Sequence, residues 1–246
     1  MDSRRKQFIV FIALVVLSSL MALPAFGQTY SVTVRQLATT EMYSNLIKAI
    51  AEEMKVTMNI QAMPGGRTNY LVENKQTDVI LPDLKIPDPA KQAALKYDYS
   101  TSTMYSLSFV LYTNKNKSVD IADLKKGNTK GYKIETDVSQ VHTFEFLGTP
   151  TTNLEASLKK VDEGVIDGFI FSQSTGDALL KKGGFKNIKR NFYGIYEMVF
   201  GLQKGQKGGQ LDKLLTEGLK RIKTSGKYDQ ILGKAVKDGI YQEWQP

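Results

Sequence analysis

The 246-residue chain contains no cysteine. A disulfide, a thiolate metal site and a lipid-anchored cysteine at an export cleavage point are therefore excluded. It has a single histidine, His142, which leaves little for histidine-based metal binding or catalysis and reads as a structural or surface residue. No Ser/His/Asp set, no His-x-x-x-His pair, no close carboxylate pair and no glycine-rich phosphate loop is legible; Gly65-Gly66 is only a turn. An enzyme is accordingly not the expectation, nor is a metal or other cofactor. Basic residues outnumber acidic ones, 33 to 25, but they are scattered in pairs such as Lys125-Lys126, Lys159-Lys160 and Lys181-Lys182. No dense basic stripe interleaved with aromatics appears, so a nucleic-acid partner is not expected. Internal repeats, low-complexity tracts and long polar linkers are also missing.

Only one long hydrophobic run is present, Phe8 to Leu23. It follows Ser3-Arg4-Arg5-Lys6, ends at Pro24, and precedes the small residues Ala25 and Gly27 on either side of Phe26. This pattern predicts a cleavable secretory signal over residues 1–27, and hence a periplasmic protein. Those residues carry three basic groups and one acidic group, so the charge falls from +8 to +6 without them. The remaining positive balance mildly favours anionic ligands or a membrane surface.

The mature part alternates strand and helix patterns. Ser31–Leu37 alternates polar and apolar and predicts a first strand. Glu41–Met54 places Leu46, Ile47, Ile50, Ala51 and Met54 at helical spacing, with Thr40 as a plausible cap. A second strand is predicted over Val56–Met63, followed by the stretch Met63–Asp83. There Gly65-Gly66 suits a turn, Leu71 and Val72 give a short helix its apolar side, and Val79-Ile80-Leu81 forms a buried strand stopped by Pro82. A short helix is predicted from Ala90 to Leu95 after Pro87-Asp88-Pro89, and a helical turn over Val119–Leu124. Long apolar strands at Tyr105–Thr113 and Ile195–Leu202 bracket a middle block. That block has strands at Tyr132–Glu135, Val141–Leu147 and Val165–Phe171, and helices at Asn153–Glu163 and Thr175–Lys182. Helices at Leu211–Thr224 and Lys227–Val236 close the chain. The pattern predicts an α/β fold of two lobes joined by two crossing strands, with residues 28–112 and 197–246 forming lobe 1 and residues 113–196 forming lobe 2. Such architectures hold a ligand in the cleft and close by hinge bending.

Several segments resemble the periplasmic solute-binding proteins of family 3, the polar amino acid group with the type II fold. They are Asp78-Val79-Ile80-Leu81, Tyr97-Asp98-Tyr99-Ser100 followed by Tyr105, and Val119-x-Ile121-x-Asp123-Leu124-Lys125-Lys126. Further on are Leu158 to Ile170, with its Gly-x-x-Asp unit, and Gly226-Lys227-Tyr228-Asp229-Gln230-Ile231. The resemblance implies a monomer that captures a small polar or anionic solute, amino-acid-like or an organic acid, for an ABC permease or a membrane sensor. Two departures stand out. The family's carboxylate-binding Thr-x-x-Arg element is here Pro87-Asp88-Pro89-Ala90-Lys91, which has no arginine; Lys91 offers a charge but not a planar two-bond fork. The family's ammonium-binding aspartate falls near Phe171-Ser172-Gln173, which has no acid. The second lobe is also short between Glu135 and Val141, so that, by the resemblance, the helix whose N-terminus faces the ligand is reduced or absent. A periplasmic dehydratase acting on cyclic acids (cyclohexadienyl dehydratase-like) and an envelope protein with a degenerate cleft are the alternatives.

Arg67, set by its Pro-x-x-Arg turn near the C-terminal edge of the sheet, is then the expected polar anchor, with Tyr70 one turn on. Asp83 is expected in the first-lobe loop, Glu135 and Asp137 across the cleft, and Ser172 and Gln173 as hydrogen-bonding groups after the next strand. Tyr105, Tyr193 and Tyr196 are expected as aromatic walls.

Overall fold

The structure is a computed structural model that describes residues 28–243. The predicted export signal lies outside the described residues. Strand β1 (Thr29–Arg35), helix α1 (Thr40–Met54), β2 (Thr57–Met63), α2 (Gly65–Glu73) and β3 (Val79–Leu84) come first. They are followed by the short helix α3 (Pro89–Ala93), the 18-residue strand β4 (Tyr97–Asn114), α4 (Ile121–Lys125) and β5 (Ile134–Asp137). Next come β6 (Thr149–Thr151), α5 (Leu154–Asp162), β7 (Gly168–Ser172), α6 (Gln173–Gly183), β8 (Ile188–Gln203), α7 (Gln210–Thr224) and α8 (Lys227–Gly239). Several helix starts follow directly from side-chain chemistry: Asp88, Asp120 and Asn153 each accept a backbone N–H of the turn they cap.

One eight-stranded sheet runs through the molecule in the order β2-β1-β3-β8-β4-β7-β5-β6. The antiparallel pair β4–β8 is its spine, in register from Tyr97 opposite Gln203 to Asn114 opposite Ile188, with three bulges. β3 joins the Met198–Leu202 end of β8, and β7 joins the Phe109–Thr113 end of β4. The two lobes thus grow from opposite ends of a shared ribbon, which supplies both crossings between them.

In lobe 1, α1 lies against β1 and α7 against α1 and β4, burying Tyr43, Leu46, Ile47 and Ile50 with Leu211, Leu215, Leu219 and Ile222. Each such side chain contributes about 1.5–3 kcal/mol by leaving water. The helices meet closely because Gly218 has no Cβ; one would lie 2.6 Å from the Ile50 side chain. In lobe 2, alternation along β4 splits the core between the two sheet faces. Phe109 and Leu111 join Phe144, Phe146, Tyr193 and Tyr196 on one face, while Val110 and Tyr112 join Leu158, Val161 and Phe169 on the other.

Beyond α8 the chain leaves lobe 1 and is fastened to lobe 2. Gln173 Nε2 donates to the Ile240 carbonyl (3.0 Å), Gln173 Oε1 accepts Gln242 N–H (2.9 Å), and Arg190 Nη1 donates to the Gln242 carbonyl (3.1 Å). The Phe192 and Tyr241 rings meet edge to face at 4.8 Å.

Four local expectations need correction. Pro82 does not end β3, which runs on to Leu84; the strand accommodates it in a cis Leu81–Pro82 linkage beside a register shift. Thr40 is the first residue of α1 rather than its cap, and its hydroxyl instead closes the preceding turn by accepting Leu37 N–H at 2.7 Å. The strand expected over Tyr105–Thr113 begins at Tyr97, because the Tyr97–Tyr99 stretch pairs with the end of β8. The expected strand Val141–Leu147 is a chain of turns: Phe144 and Phe146 are both buried, which mimics alternation, but the edge of β5 pairs with Thr149–Thr151.

Candidate functional site

The expected ligand loop of lobe 1 is closed on itself. Arg35, at the end of β1, is buried and fans across two elements, α2 and β3. Its Nε donates to the Pro82 carbonyl (2.7 Å), Nη1 to the Gly65 carbonyl (3.2 Å), and Nη2 to Asn69 Oδ1 (2.6 Å) and Asp83 Oδ1 (2.8 Å). Tyr97 donates to Asp83 Oδ2 at 2.6 Å. Burial, reinforced by the Asp83 charge, pushes the Tyr97 hydroxyl far above its ordinary pKa, so it remains a donor. Both oxygens of Asp83 are engaged and the residue is buried; it ties β1, α2, β3 and β4 together instead of facing a ligand loop.

Other expected contacts are similarly committed within one lobe. Glu135 is buried and takes Ser157 Oγ (2.6 Å) and Lys160 Nζ (2.8 Å) from α5. Asp137 caps the 3₁₀ turn Val138–Gln140 through Ser139 N–H at 2.8 Å. Gln173 holds the C-terminal segment, as described, and Ser172 occupies the N-cap position of α6. The Tyr105 hydroxyl bonds the Tyr43 hydroxyl on α1. Arg67 and Tyr70 are exposed near the start of α2, with the guanidinium carbon 5.1 Å from the Tyr70 ring centre.

The lobes instead flank an open cavity of about 400 Å³. Lobe 1 supplies Ile86, Lys91, Ala94 and Leu95 from β3's exit, α3 and the turn that follows it; lobe 2 supplies Val141, His142, Glu145, Phe146 and Leu147 from the turns after β5. Its walls are largely apolar, and its two charged side chains have opposite sign. Lys91 is carried by α3, which Asp88 caps through Ala90 N–H at 2.8 Å. Its Nζ reaches across to the Phe144 carbonyl at 2.7 Å, a hydrogen bond between the lobes. A second hollow, about 470 Å³, lies within lobe 2 beside α5 and Phe185 and does not touch lobe 1.

Glu145 is the acid of the inter-lobe cavity. Its Oε2 accepts Tyr193 Oη at 2.6 Å and Tyr196 Oη at 3.4 Å, and its Oε1 accepts Lys125 Nζ at 3.3 Å. Burial disfavours the carboxylate, but the Tyr193 hydrogen bond and the Lys125 charge outweigh it and hold the carboxyl below its usual range. The hydroxyls of Tyr193 and Tyr196 are pushed far up by burial and by that same carboxylate, so both stay donors. Tyr196 and Tyr193 were expected as walls; they are buried behind Glu145 and act on the cavity through it. Lys91 and Glu145 are the consequential charges that a search of strand ends does not reach, and Arg35, which ends β1, is the one the sequence reading passed over. Lys91 was legible only as a substitute for a missing arginine. Arg35 sits at a buried position of an alternating strand, which is the signal it offers.

Among the described residues no group of three or more potential ligands could hold a metal ion, and no helix is long and apolar enough to cross a membrane. No curated protein sequence matches the chain. Solved structures do match in fold. A histidine kinase sensor domain with similarity to periplasmic binding proteins superposes with a TM-score of 0.62 at 15% identity, over 85% of this chain and 96% of that one. The substrate-binding protein of an amino acid ABC transporter gives 0.57 at 16%, over 85% and 100%. The arginine-, lysine-, histidine-binding protein of Geobacillus stearothermophilus gives 0.58 at 15%, over 84% and 94%. The fold is that of periplasmic binding proteins of type II. Residues 42–238 match the family of bacterial extracellular solute-binding proteins, family 3, and the chain belongs to that family.

Proposed function

We propose that the protein captures a small amino-acid-like solute between its lobes, with Lys91 as the anchor for a carboxylate and Glu145 as the anchor for an ammonium. The observation that carries this is the pairing of one cation and one acid, from opposite lobes, in a single apolar-walled cavity. A zwitterion satisfies both at once and bridges the lobes, so it binds the closed form better than the open one. Lys91 presently spends its hydrogen bond on the Phe144 carbonyl. A carboxylate replaces a neutral acceptor there with a charged one, which forms the stronger bond.

In this reading α3, with Lys91, belongs to the lobe expected over 28–112 with 197–246, and Glu145 to the lobe expected over 113–196. The chain then acts outside the cytoplasm as a binding protein, delivering the solute to an ABC permease or presenting it to a membrane sensor. Support for binding rather than catalysis comes from the family and from the absence of a recognisable nucleophile–base set in the sequence. The test is a thermal-shift and calorimetry panel of amino acids, organic acids, amines and short peptides. Zwitterionic solutes are expected to bind, and Lys91→Met and Glu145→Gln are each expected to weaken binding by about tenfold or more. Binding of simple monoacids unaffected by Glu145→Gln overturns the assignment.

A further inference from the structure

We propose that Lys125 is a specificity-determining residue: it fills, from within the chain, a cation box made by Glu145 and Tyr193 beside the cleft, and so closes the cleft to solutes that carry an additional positive charge. The inference rests on the reading of the cleft as a solute site.

Lys125 is the last residue of α4, a helix fixed by its Asp120 cap. Its Nζ lies 3.9 Å from the centre of the Tyr193 ring, 5.5 Å from that of Tyr196 and 3.3 Å from Glu145 Oε1. The two rings are nearly parallel, 6.4 Å apart and 10° from coplanar orientation. A carboxylate beside the face of an electron-rich ring is the arrangement that holds an ammonium or guanidinium group. Gly194 leaves room for the lysine head: a Cβ there would stand 3.0 Å from Nζ. Tyr193 and Tyr196 are almost fully buried, whereas the Lys125 side chain is 35% exposed, so the lysine is the removable wall of the box. Glu145 belongs both to this box and to the cavity lining.

One carboxylate therefore serves two positions. Towards the cavity, where 26% of its side-chain surface stays exposed, it is the acid proposed to take a single ammonium. Towards Tyr193 it is already matched by Lys125. A solute with a second cationic group finds that place taken and meets the like charge of Lys125.

The experiment uses the full mature chain and two sets of probes at fixed ionic strength. One set is n-butylammonium and tetramethylammonium, cations without a carboxylate. The other pairs L-lysine with norleucine. Wild type, Lys125→Met, Lys125→Gln and the double variant Lys125→Met/Glu145→Gln are compared by calorimetry and thermal shift, with near-ultraviolet circular dichroism reporting the fold. Lys125→Met keeps the aliphatic stem, and Lys125→Gln is the replacement if the first does not fold. Either Lys125 variant is expected to bind the alkylammonium probes about tenfold more tightly than wild type, and the double variant to lose that gain. L-lysine is expected to gain relative to norleucine in the same variants. Equal cation binding by wild type and both single variants overturns the proposal, as does a gain that survives Glu145→Gln. Norleucine binding to wild type without any cation gain in the variants sinks this inference alone. A cation gain with no zwitterion bound by wild type sinks the solute reading instead.

Discussion

Two charged clusters, one in each lobe, use the same chemistry to different ends. In lobe 1 the Arg35 guanidinium, the Asp83 carboxylate and the Tyr97 hydroxyl are buried and satisfy one another. In lobe 2 the Glu145 carboxylate is likewise met by tyrosine hydroxyls and a lysine, but it keeps 26% of its side-chain surface exposed and lines the inter-lobe cavity. The first cluster therefore fastens strand ends, and the second presents a charge to the cleft. An ionisable side chain at the edge of a sheet is a candidate ligand contact only when one of its faces remains open after its neighbours are counted.

Substitutions can break this contrast, and their expected effects fall in order. Asp83→Ala leaves Arg35 buried without its counter-charge and should cost about 3–5 kcal/mol in urea unfolding. A loss below about 1 kcal/mol would mean that the knot is not structural. Tyr193→Phe removes a hydrogen bond to a charged acceptor; a loss of about 1.5 kcal/mol is expected, together with weaker solute binding.

Acid acts on the same carboxylate. The folded-state pKa of Glu145 is depressed relative to its unfolded value, so its contribution is present above the ordinary carboxylate range. That contribution is lost as pH falls through the folded value. The Glu145→Gln variant should therefore show a shallower loss of stability below about pH 4.5 than wild type, and identical acid profiles would contradict the assignment.

Lys91→Met removes the bond to the Phe144 carbonyl. It should cost about 1 kcal/mol and enlarge the radius of gyration of the ligand-free protein in small-angle scattering. Arg67→Ala should change stability by less than about 0.5 kcal/mol and leave solute binding intact, because the exposed guanidinium rests on Tyr70 outside the cavity lining.

Most of the architecture was legible because apolar periodicity reports burial. The amphipathic stripe Leu211, Leu215, Leu219 and Ile222 lies where the pattern puts it, while β4 and β8 contain the two long strands it predicts but begin earlier, at Tyr97 and Ile188. The same periodicity misleads at Val141–Leu147, where Phe144 and Phe146 are buried from a turn. The site was harder to read, since what separates Asp83 from Glu145 is partnership across long sequence distances. Asp83 is claimed by Arg35 and Tyr97, Glu135 by Ser157 and Lys160, and Gln173 by Ile240, Gln242 and Arg190. Nothing local marks those pairings. The lysine in place of the usual arginine at 91 was visible in sequence, but only the fold brings it against the segment that carries Glu145.

The most direct test is calorimetric titration of a neutral zwitterionic amino acid into wild type, Glu145→Gln and Arg67→Ala. The account predicts binding to wild type and to Arg67→Ala, and a loss of about tenfold or more in Glu145→Gln. Undiminished binding to Glu145→Gln, with binding abolished in Arg67→Ala, would place the solute at the α2 lip and contradict it.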